Sequence, residues 1–177
     1  MKLDAEWPDE VDRRILRLLQ DDCKLPLARI GEAVGLSAPS VVERIRKLEQ
    51  AGVVKGYHAV LDARQVGLDV TAFIGVSINH PRLITEFEHE VEGLPDVLEC
   101  HHVTGAYTVL VKVKTRNTAT LEQLLSRMRS IDGVQRTETM VVLSTHTERV
   151  QVALESEVSA GGRGRRNGSR TRSPSAA

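Results

Sequence analysis

Three short runs of apolar residues at helical spacing open the chain. Val11, Ile15, Leu18 and Leu19 line one side of a first helix, with Pro8 suited to its first turn and Asp9 and Glu10 facing its positive end. Leu27, Ile30 and Val34 mark a second helix. Gly35 ends it, because glycine takes the left-handed conformation of a helix C-terminus at no steric cost. Leu36 plugs the angle between this helix and the next. Ser37 is a natural N-cap, and Pro39 falls in the first turn that follows, where a missing N–H costs no intrahelical bond; a third helix is predicted from Ala38. Its stripe Val41, Ile45 and Leu48 must face a core, which turns Pro39, Ser40, Val42, Glu43, Arg46 and Lys47 outward. Arg44 borders the stripe and is placed equally well to face outward or to pair with an acid such as Asp12. Ala51-Gly52 closes the helix, and the β-prone run Val53 to Val60 reads as a wing bearing Lys55, Tyr57 and His58.

After a polar, Gly-containing linker over 61–69, the periodicity changes. Val70 to Ile78 reads as a strand, Arg82 to Glu92 as a helix, Val97 to Val103 and Tyr107 to Lys114 as a strand pair around Gly105, Ala119 to Ser130 as a helix, and Val134 to Ser144 as a last strand. The order β-α-β-β-α-β over 70–158 predicts a ferredoxin-like antiparallel sheet with both helices on one face, and an α+β protein overall. Phe73, Val109, Val111, Val113, Val141 and Leu143 supply more apolar strand surface than two helices need, so a second copy of the sheet is expected to cover the other face.

Helix pairs joined by a glycine turn are common, and most bind nothing. Here cap, proline, basic outer face and wing fall in one window, and together they predict a winged helix-turn-helix over 1–60 whose outer face meets the major groove of double-stranded DNA. The expected DNA contacts are Ser37, Pro39, Ser40, Val42, Glu43, Arg44, Arg46, Lys47 and Lys55. Composition narrows the reading. Aromatic residues make up 3% of the 177 positions, too few for stacking platforms that hold single-stranded nucleic acid. The 24 basic and 24 acidic residues cancel, but unevenly: Met1 to Val60 holds 10 against 10, Leu61 to Val158 holds 9 against 14, and Ser159 to Ala177 holds 5 against none. The middle is therefore unsuited to DNA, and the Gly/Ser-rich basic tail, 159–177, is expected to be disordered and to add nonspecific phosphate attraction. Few cations per subunit means that dimerisation is needed for affinity.

Cys23 and Cys100 lie far apart and form no ligand cluster, which fits a reducing cytoplasm. The acidic N-terminus has no apolar signal core, and no apolar run is long enough for a membrane span. Neither a cofactor nor a metal is expected. His101 and His102 are adjacent in a strand and so point to opposite faces, and His80 and His89 are spaced too widely for a helical zinc pair.

Asp12-Arg13-Arg14-Ile15-Leu16, Gly35-Leu36-Ser37, Arg44-Ile45-Arg46-Lys47-Leu48-Glu49 with Gly52-Val53-Val54, Leu94-Pro95-Asp96-Val97 and Val103-Thr104-Gly105 together resemble the Lrp/AsnC family of bacterial and archaeal transcriptional regulators, over Asp9 to about Val150. The resemblance implies a winged helix-turn-helix joined to an ACT-like, ligand-sensing domain that dimerises through its sheet. It further implies dimers assembling into octamers, with an amino acid or related effector bound near the strand-loop-strand turn. The residues implied there are Gly105, Ala106, Tyr107 and Thr108, with Thr137 and Thr139 as neighbours; His101 or His102, by its place near that turn, is expected to be a hydrogen-bonding pocket residue or a pH-sensitive interface group. This chain departs from the family at that turn. Where a Gly-Asp-Tyr-Asp type sequence is usual it has Gly105-Ala106-Tyr107-Thr108, so no carboxylate is present to meet an ammonium group. Siroheme decarboxylases share the same two domains and form the enzyme alternative. That chemistry needs a charged anchor for tetrapyrrole carboxylates, and the turn has no Arg, whereas the cationic helix face of a DNA reader is kept. The expected protein is therefore a regulator and not an enzyme.

Overall fold

A computed structural model of the protein describes residues 8–154 and divides them into two compact units, residues 8–57 with 149–154, and His58–Glu148. The expected tail, 159–177, lies outside the described residues. Residues 149–154 join the first unit, so the second ends at Glu148 and not at 158, and it takes in the expected linker, 61–69.

The first unit holds α1 (Glu10–Asp21), α2 (Leu27–Val34) and α3 (Ala38–Gln50). Asp9 caps α1. The Asp12 N–H donates to Asp9 Oδ1 at 2.7 Å, and the Asp9 N–H donates to Asp12 Oδ2 at 3.3 Å. Pro8 thus stands outside the helix, not in its first turn, because the carboxylate at Asp9 satisfies the orphan N–H groups that proline could not. Gly35 ends α2 with φ 74°, and Ser37 caps α3 through the Ser40 N–H, with Pro39 in the first turn. Ile15, Ile30, Val34, Val41 and Ile45 form the core, and Val11, Leu18, Leu19 and Leu36 pack on it.

The wing is not a strand. Residues 53–60 run without a β-ladder, because no second strand lies alongside them among the described residues, and β-propensity without a partner makes no hydrogen bonds. The run is held at its start instead. The N–H groups of Val53 and Val54 both donate to the Leu48 carbonyl, at 2.9 and 3.2 Å. Tyr57 adds a tie, donating its hydroxyl to Glu49 Oε1 at 2.9 Å.

The second unit is built from β1 (Val70–Ile78), α4 (Arg82–Glu92), β2 (Val97–His102), β3 (Val109–Thr115), α5 (Thr118–Arg129) and β4 (Val134–Val141). The sheet order is β2-β3-β1-β4 and every neighbouring pair is antiparallel, as a ferredoxin-like split βαβ requires. The strands end earlier than the apolar pattern implied, at His102 and Val141, and β3 starts at Val109 because 103–108 form the turn.

Strand alternation sorts the side chains. Ala72, Ile74, Val76, Val109, Val111 and Val113 are buried with Phe87, Val91, Leu121, Leu124 and Met128 under the two helices. Val109, Val111 and Val113 are therefore not surplus, since two helices use all three. Val141 pairs with Ala72 and so lies on the helix side, while Leu143 is past the strand end. The open face carries Phe73, Leu110 and Met140 with Lys112, Lys114 and Glu138, as their register with Thr71, Phe73 and Gly75 dictates.

Gly31 is a close-approach position that apolar periodicity does not reveal. It is buried in α2, its carbonyl accepts the Leu36 N–H at 2.9 Å, and a Cβ added to it would collide with the Leu36 carbonyl oxygen. Gly31→Ala is expected to destabilise the three-helix unit by about 1–3 kcal/mol, the usual cost of overpacking a fixed backbone. Chemical denaturation of the full chain checks this, and an unchanged midpoint for the transition of that unit would show that the turn gives way.

Candidate functional site

The outer face of α3 is fixed by what its inner face does. Val41, Ile45 and Leu48 are buried, and Pro39, Ser40, Val42, Glu43, Arg46 and Lys47 are all exposed, as the stripe requires. Val42 is an apolar side chain 45% exposed on an otherwise polar face, the kind of group that contacts a thymine methyl. Ser37 and Ser40 share a hydroxyl contact of 2.8 Å at the start of the helix. Arg46 is ion-paired one turn back with Glu43 at 2.8 Å, an exposed pair that a phosphate can displace at small cost. Lys55 lies beyond the helix on the irregular run 53–60, not on a strand.

Arg44 does not belong to this face. Its Nη1 is 2.8 Å from Asp9 Oδ2 and 2.8 Å from Asp12 Oδ1, and Asp12 is only 4% exposed. Of the two placements open in the sequence, the structure takes the inward one, because a buried carboxylate without a partner is far more costly than an exposed arginine without one. Burial pushes the Asp9 carboxyl up, but the Asp12 N–H and the Arg44 guanidinium outweigh it and hold the carboxyl below its ordinary 3.8. A depressed carboxylate pKa contributes stability above the unfolded value and loses it as pH falls through the folded one, so this part of the clasp is intact at neutral pH. Tyr57 has its phenol pushed up to about 12 by burial and then by its bond to Glu49. It serves to hold residues 53–57 against α3.

The second candidate site lies at the β2–β3 turn, residues 103–108. The Val103 N–H donates to the Thr108 carbonyl at 3.0 Å, and the Thr108 N–H donates to the Val76 carbonyl at 2.9 Å. The Thr108 hydroxyl accepts the Ile78 N–H at 3.1 Å, so it splices the turn to β1. Gly105 has φ 123°, a conformation that disfavours any side chain, and a Cβ there would meet nothing within 4 Å. Tyr107 lies flat on β1. A Cβ at Gly75 would sit 2.6 Å from its ring, and burial together with the nearby Glu138 carboxylate of β4 raises its phenol above the ordinary range.

The expected effector residues do not converge within the chain. Tyr107 covers the open sheet face at Gly75, and His101, opposite Leu110, is on that face too, 3.3 Å from Glu99. Thr137 and Thr139 pair with Val76 and Ile74 and so lie on the helix side, where Thr137 Oγ1 accepts from Arg129 Nε at 2.9 Å. The one-residue alternation of a strand separates them from the turn. Sequence reasoning missed a polar cluster on the open face. Lys112 Nζ is 2.6 Å from Glu148 Oε1 and 3.1 Å from Glu99 Oε1, and Lys114 Nζ is 3.3 Å from Glu148 Oε2. The signal was present: Lys112 and Lys114 alternate with buried valines, which places two lysines on one sheet face.

A helix-turn-helix with an exposed polar third helix, joined to a ferredoxin-like domain, defines a DNA-binding regulator with a separate sensing module. The AsnC-type helix-turn-helix domain matches residues 9–49, and the Lrp/AsnC ligand binding domain matches residues 71–152. The HTH-type transcriptional regulator FL11 of Pyrococcus horikoshii is 36% identical over 147 residues, covering 83% of this chain and 97% of that protein. The regulatory protein AsnC of Escherichia coli is 31% identical over 136 residues, covering 76% and 90%. A solved transcriptional regulator from Neisseria meningitidis, in complex with L-Met, superposes with TM-score 0.76 at 31% identity over 82% of this chain and 96% of that one. The chain belongs to the Lrp/AsnC family and is a helix-turn-helix transcriptional regulator.

Replacing Arg44 separates its structural role from a DNA role. Arg44→Ala leaves the Asp12 carboxylate buried without its cation and is expected to cost about 1–3 kcal/mol of stability. The salt dependence of DNA binding should stay as it was. A shallower salt slope with unchanged stability would return Arg44 to the DNA-facing set.

Proposed function

We propose that this regulator reads duplex DNA through Ser40, Val42, Glu43, Arg46 and Lys47 of α3, with Ser37 and Pro39 at its entrance and Lys55 beyond its end. Arg46 and Lys47 meet phosphates, while Ser40 and Val42 stand nearest the base edges. The observation that carries the reading is the division of α3 into an apolar face that builds the core and a polar face that meets no other part of its unit's core. Regulation is favoured over decarboxylation of a tetrapyrrole because that exposed cationic face is retained while the β2–β3 turn has no arginine. Its setting is the cytoplasm, where its DNA is.

Replacing both cations, R46A/K47A, is expected to weaken binding to the protein's own promoter and to lower the log-log salt slope by about 0.9 for each phosphate no longer neutralised, with the fold intact. Fluorescence anisotropy over a salt series measures both. Equal affinity and equal slope would mean that another surface reads the DNA.

The working unit is a dimer or a larger even assembly, up to the octamer that the family resemblance implies. Phe73, Leu110 and Met140, the last 40% exposed, put apolar surface at the centre of an open sheet face, and a second copy of that face is its simplest cover. A two-fold assembly calls for a roughly palindromic operator with half-sites about one helical turn apart or a multiple of it. The sensed molecule is an amino acid or related metabolite, bound between subunits at Gly105 to Thr108 with His101. Thr137 and Thr139, on the other side of their strand, enter only from outside that face. With Ala106 and Thr108 at the turn, recognition leans on carboxylate and side-chain contacts more than on an ammonium group. Sedimentation of the full chain across the proteinogenic amino acids tests both parts. A dimer or larger species is expected, Phe73→Glu should dissociate it, and the effector should shift assembly or DNA affinity by about 1–3 kcal/mol, with DNA changing effector affinity equally. A monomeric parent chain refutes the assembly, and silence from every amino acid refutes the effector.

A further inference from the structure

An acid stands in the middle of the helix face that meets a polyanion. Glu43 lies midway along α3, exposed, with Ser40 one turn before it and Lys47 one turn after. Arg46 and Lys47 are the cations of that face, since Arg44 is drawn inward to Asp9 and Asp12, and the exposed acids Glu43 and Glu49 cancel them formally. The outer face of α3 thus has no net charge.

The surroundings of Glu43 sharpen the point. It shares an open hollow with Ser40, Arg44, Lys47, Asp9 and Asp12, where three carboxylates outnumber two cations and a phosphate is repelled on balance. An acid at this place therefore weakens attraction to the backbone, which every sequence offers alike. What it can return lies at a base edge.

The carboxylate is held ready for one. Arg46 Nη2 donates to Glu43 Oε1 at 2.8 Å and Arg46 Nε donates to Glu43 Oε2 at 3.2 Å, a fork across one turn of helix. The hydrogen bonding from Arg46 keeps the Glu43 carboxyl below its ordinary 4.5, so at neutral pH it is ionised and accepts only. Each carboxylate oxygen has a second lone-pair site, and the guanidinium has further N–H groups that the fork leaves over. The pair can take a new donor on one side and a new acceptor on the other without opening.

In the major groove cytosine N4 and adenine N6 present amino groups, whereas guanine O6 and thymine O4 present oxygens that repel a carboxylate. Cytosine is the better fit, because adenine sets the acceptor N7 beside its amino group. We propose that Glu43 is a specificity-determining residue of α3: clamped by Arg46, its carboxylate accepts a hydrogen bond from the N4 amino group of a cytosine, while the free edge of the same guanidinium meets the adjoining phosphate. The inference rests on the reading of α3 as the DNA-facing helix. It gives the Glu43–Arg46 pair a task that phosphate contacts cannot perform, discrimination between bases.

The test selects sites for the full chain from randomised duplex, then measures fluorescence anisotropy on the selected duplex, on its single-base variants and on a mixed-sequence duplex. The parent chain should show a position at which cytosine is preferred about tenfold over guanine and thymine. Glu43→Gln should move the preference at that position alone to adenine, since a glutamine amide meets N6 and N7 together. Glu43→Ala should erase it there, leave the other positions as they were, and tighten binding to the mixed-sequence duplex by removing a negative charge. A parent with no such position overturns the assignment, as do variants that keep the parent's preference throughout. Equal weakening on every duplex in Glu43→Ala also overturns it, because an acid that only steadies Arg46 gives that result. R46A/K47A separates this inference from the reading beneath it. If that variant binds with unchanged affinity and salt slope, α3 is not the reader; if both fall while the Glu43 variants keep the parent's base preference, only the role of Glu43 fails.

Discussion

A helix that offers cations to a phosphate backbone must be kept from rolling about its own axis, and here the restraint is ionic as well as apolar. Val41, Ile45 and Leu48 fix which side of α3 is inward, but three branched side chains in a small core leave room for rotation. Arg44 removes it. Its guanidinium bridges Asp9 and the nearly buried Asp12, and those two carboxylates are themselves the reciprocal cap of α1. One side chain therefore couples the start of α1 to the middle of α3. The Asp12 oxygen it satisfies would otherwise face a dry interior, while Asp9 stays open to solvent, so the bridge specifies a geometry more than it adds net stability.

The ferredoxin-like unit solves the opposite problem, a sheet with one face finished and the other open. Its helix side is apolar at the centre, with threonines toward the edge strand, and is closed by Phe87, Val91, Leu121, Leu124 and Met128. The open side is mixed, yet its charges are neutralised by their own chain: the Glu148 hydrogen bond, and then that of Glu99, raises the Lys112 ammonium above its ordinary range. A face prepared in this way is covered without stranding a bare charge. Tyr107 extends the same preparation. It lies where Gly75 leaves a gap in the central strand, so the β2–β3 turn is pinned to the face that a second copy would meet, and a change at the turn acts directly on that surface.

Element order and both helix faces of the first unit were legible because burial imposes a period that survives in the sequence. Ser37, Pro39, Gly35 and the stripe of α3 each hold the position that their chemistry predicts. What failed did so where a residue's role depends on a distant partner. The wing of 53–60 needs a second strand, and β-propensity cannot say whether one is there. Val109, Val111 and Val113 read as surplus because periodicity places residues on a face without saying which face the helices choose. Arg44 was open until Asp9 and Asp12, more than thirty positions away, were seen to converge on it. Gly31 left no signal at all, since a close backbone approach is recorded only as a missing side chain.

The charge distribution ties the two units together functionally. A net charge of zero gives the whole chain no long-range attraction to DNA, and two of the cations of α3, Arg44 and Arg46, are already engaged. The affinity of a single chain is then small, and in the proposed assembly useful occupancy depends on how many copies are held together. Linking two weak readers turns the second binding event into an intramolecular one and multiplies affinity without a new contact. In that proposed assembly, a ligand that altered sheet-to-sheet pairing would change DNA occupancy by mass action without any atom of α3 moving. In such a protein the sensing unit needs no mechanical path to the recognition helix, because weak individual binding makes assembly itself the signal.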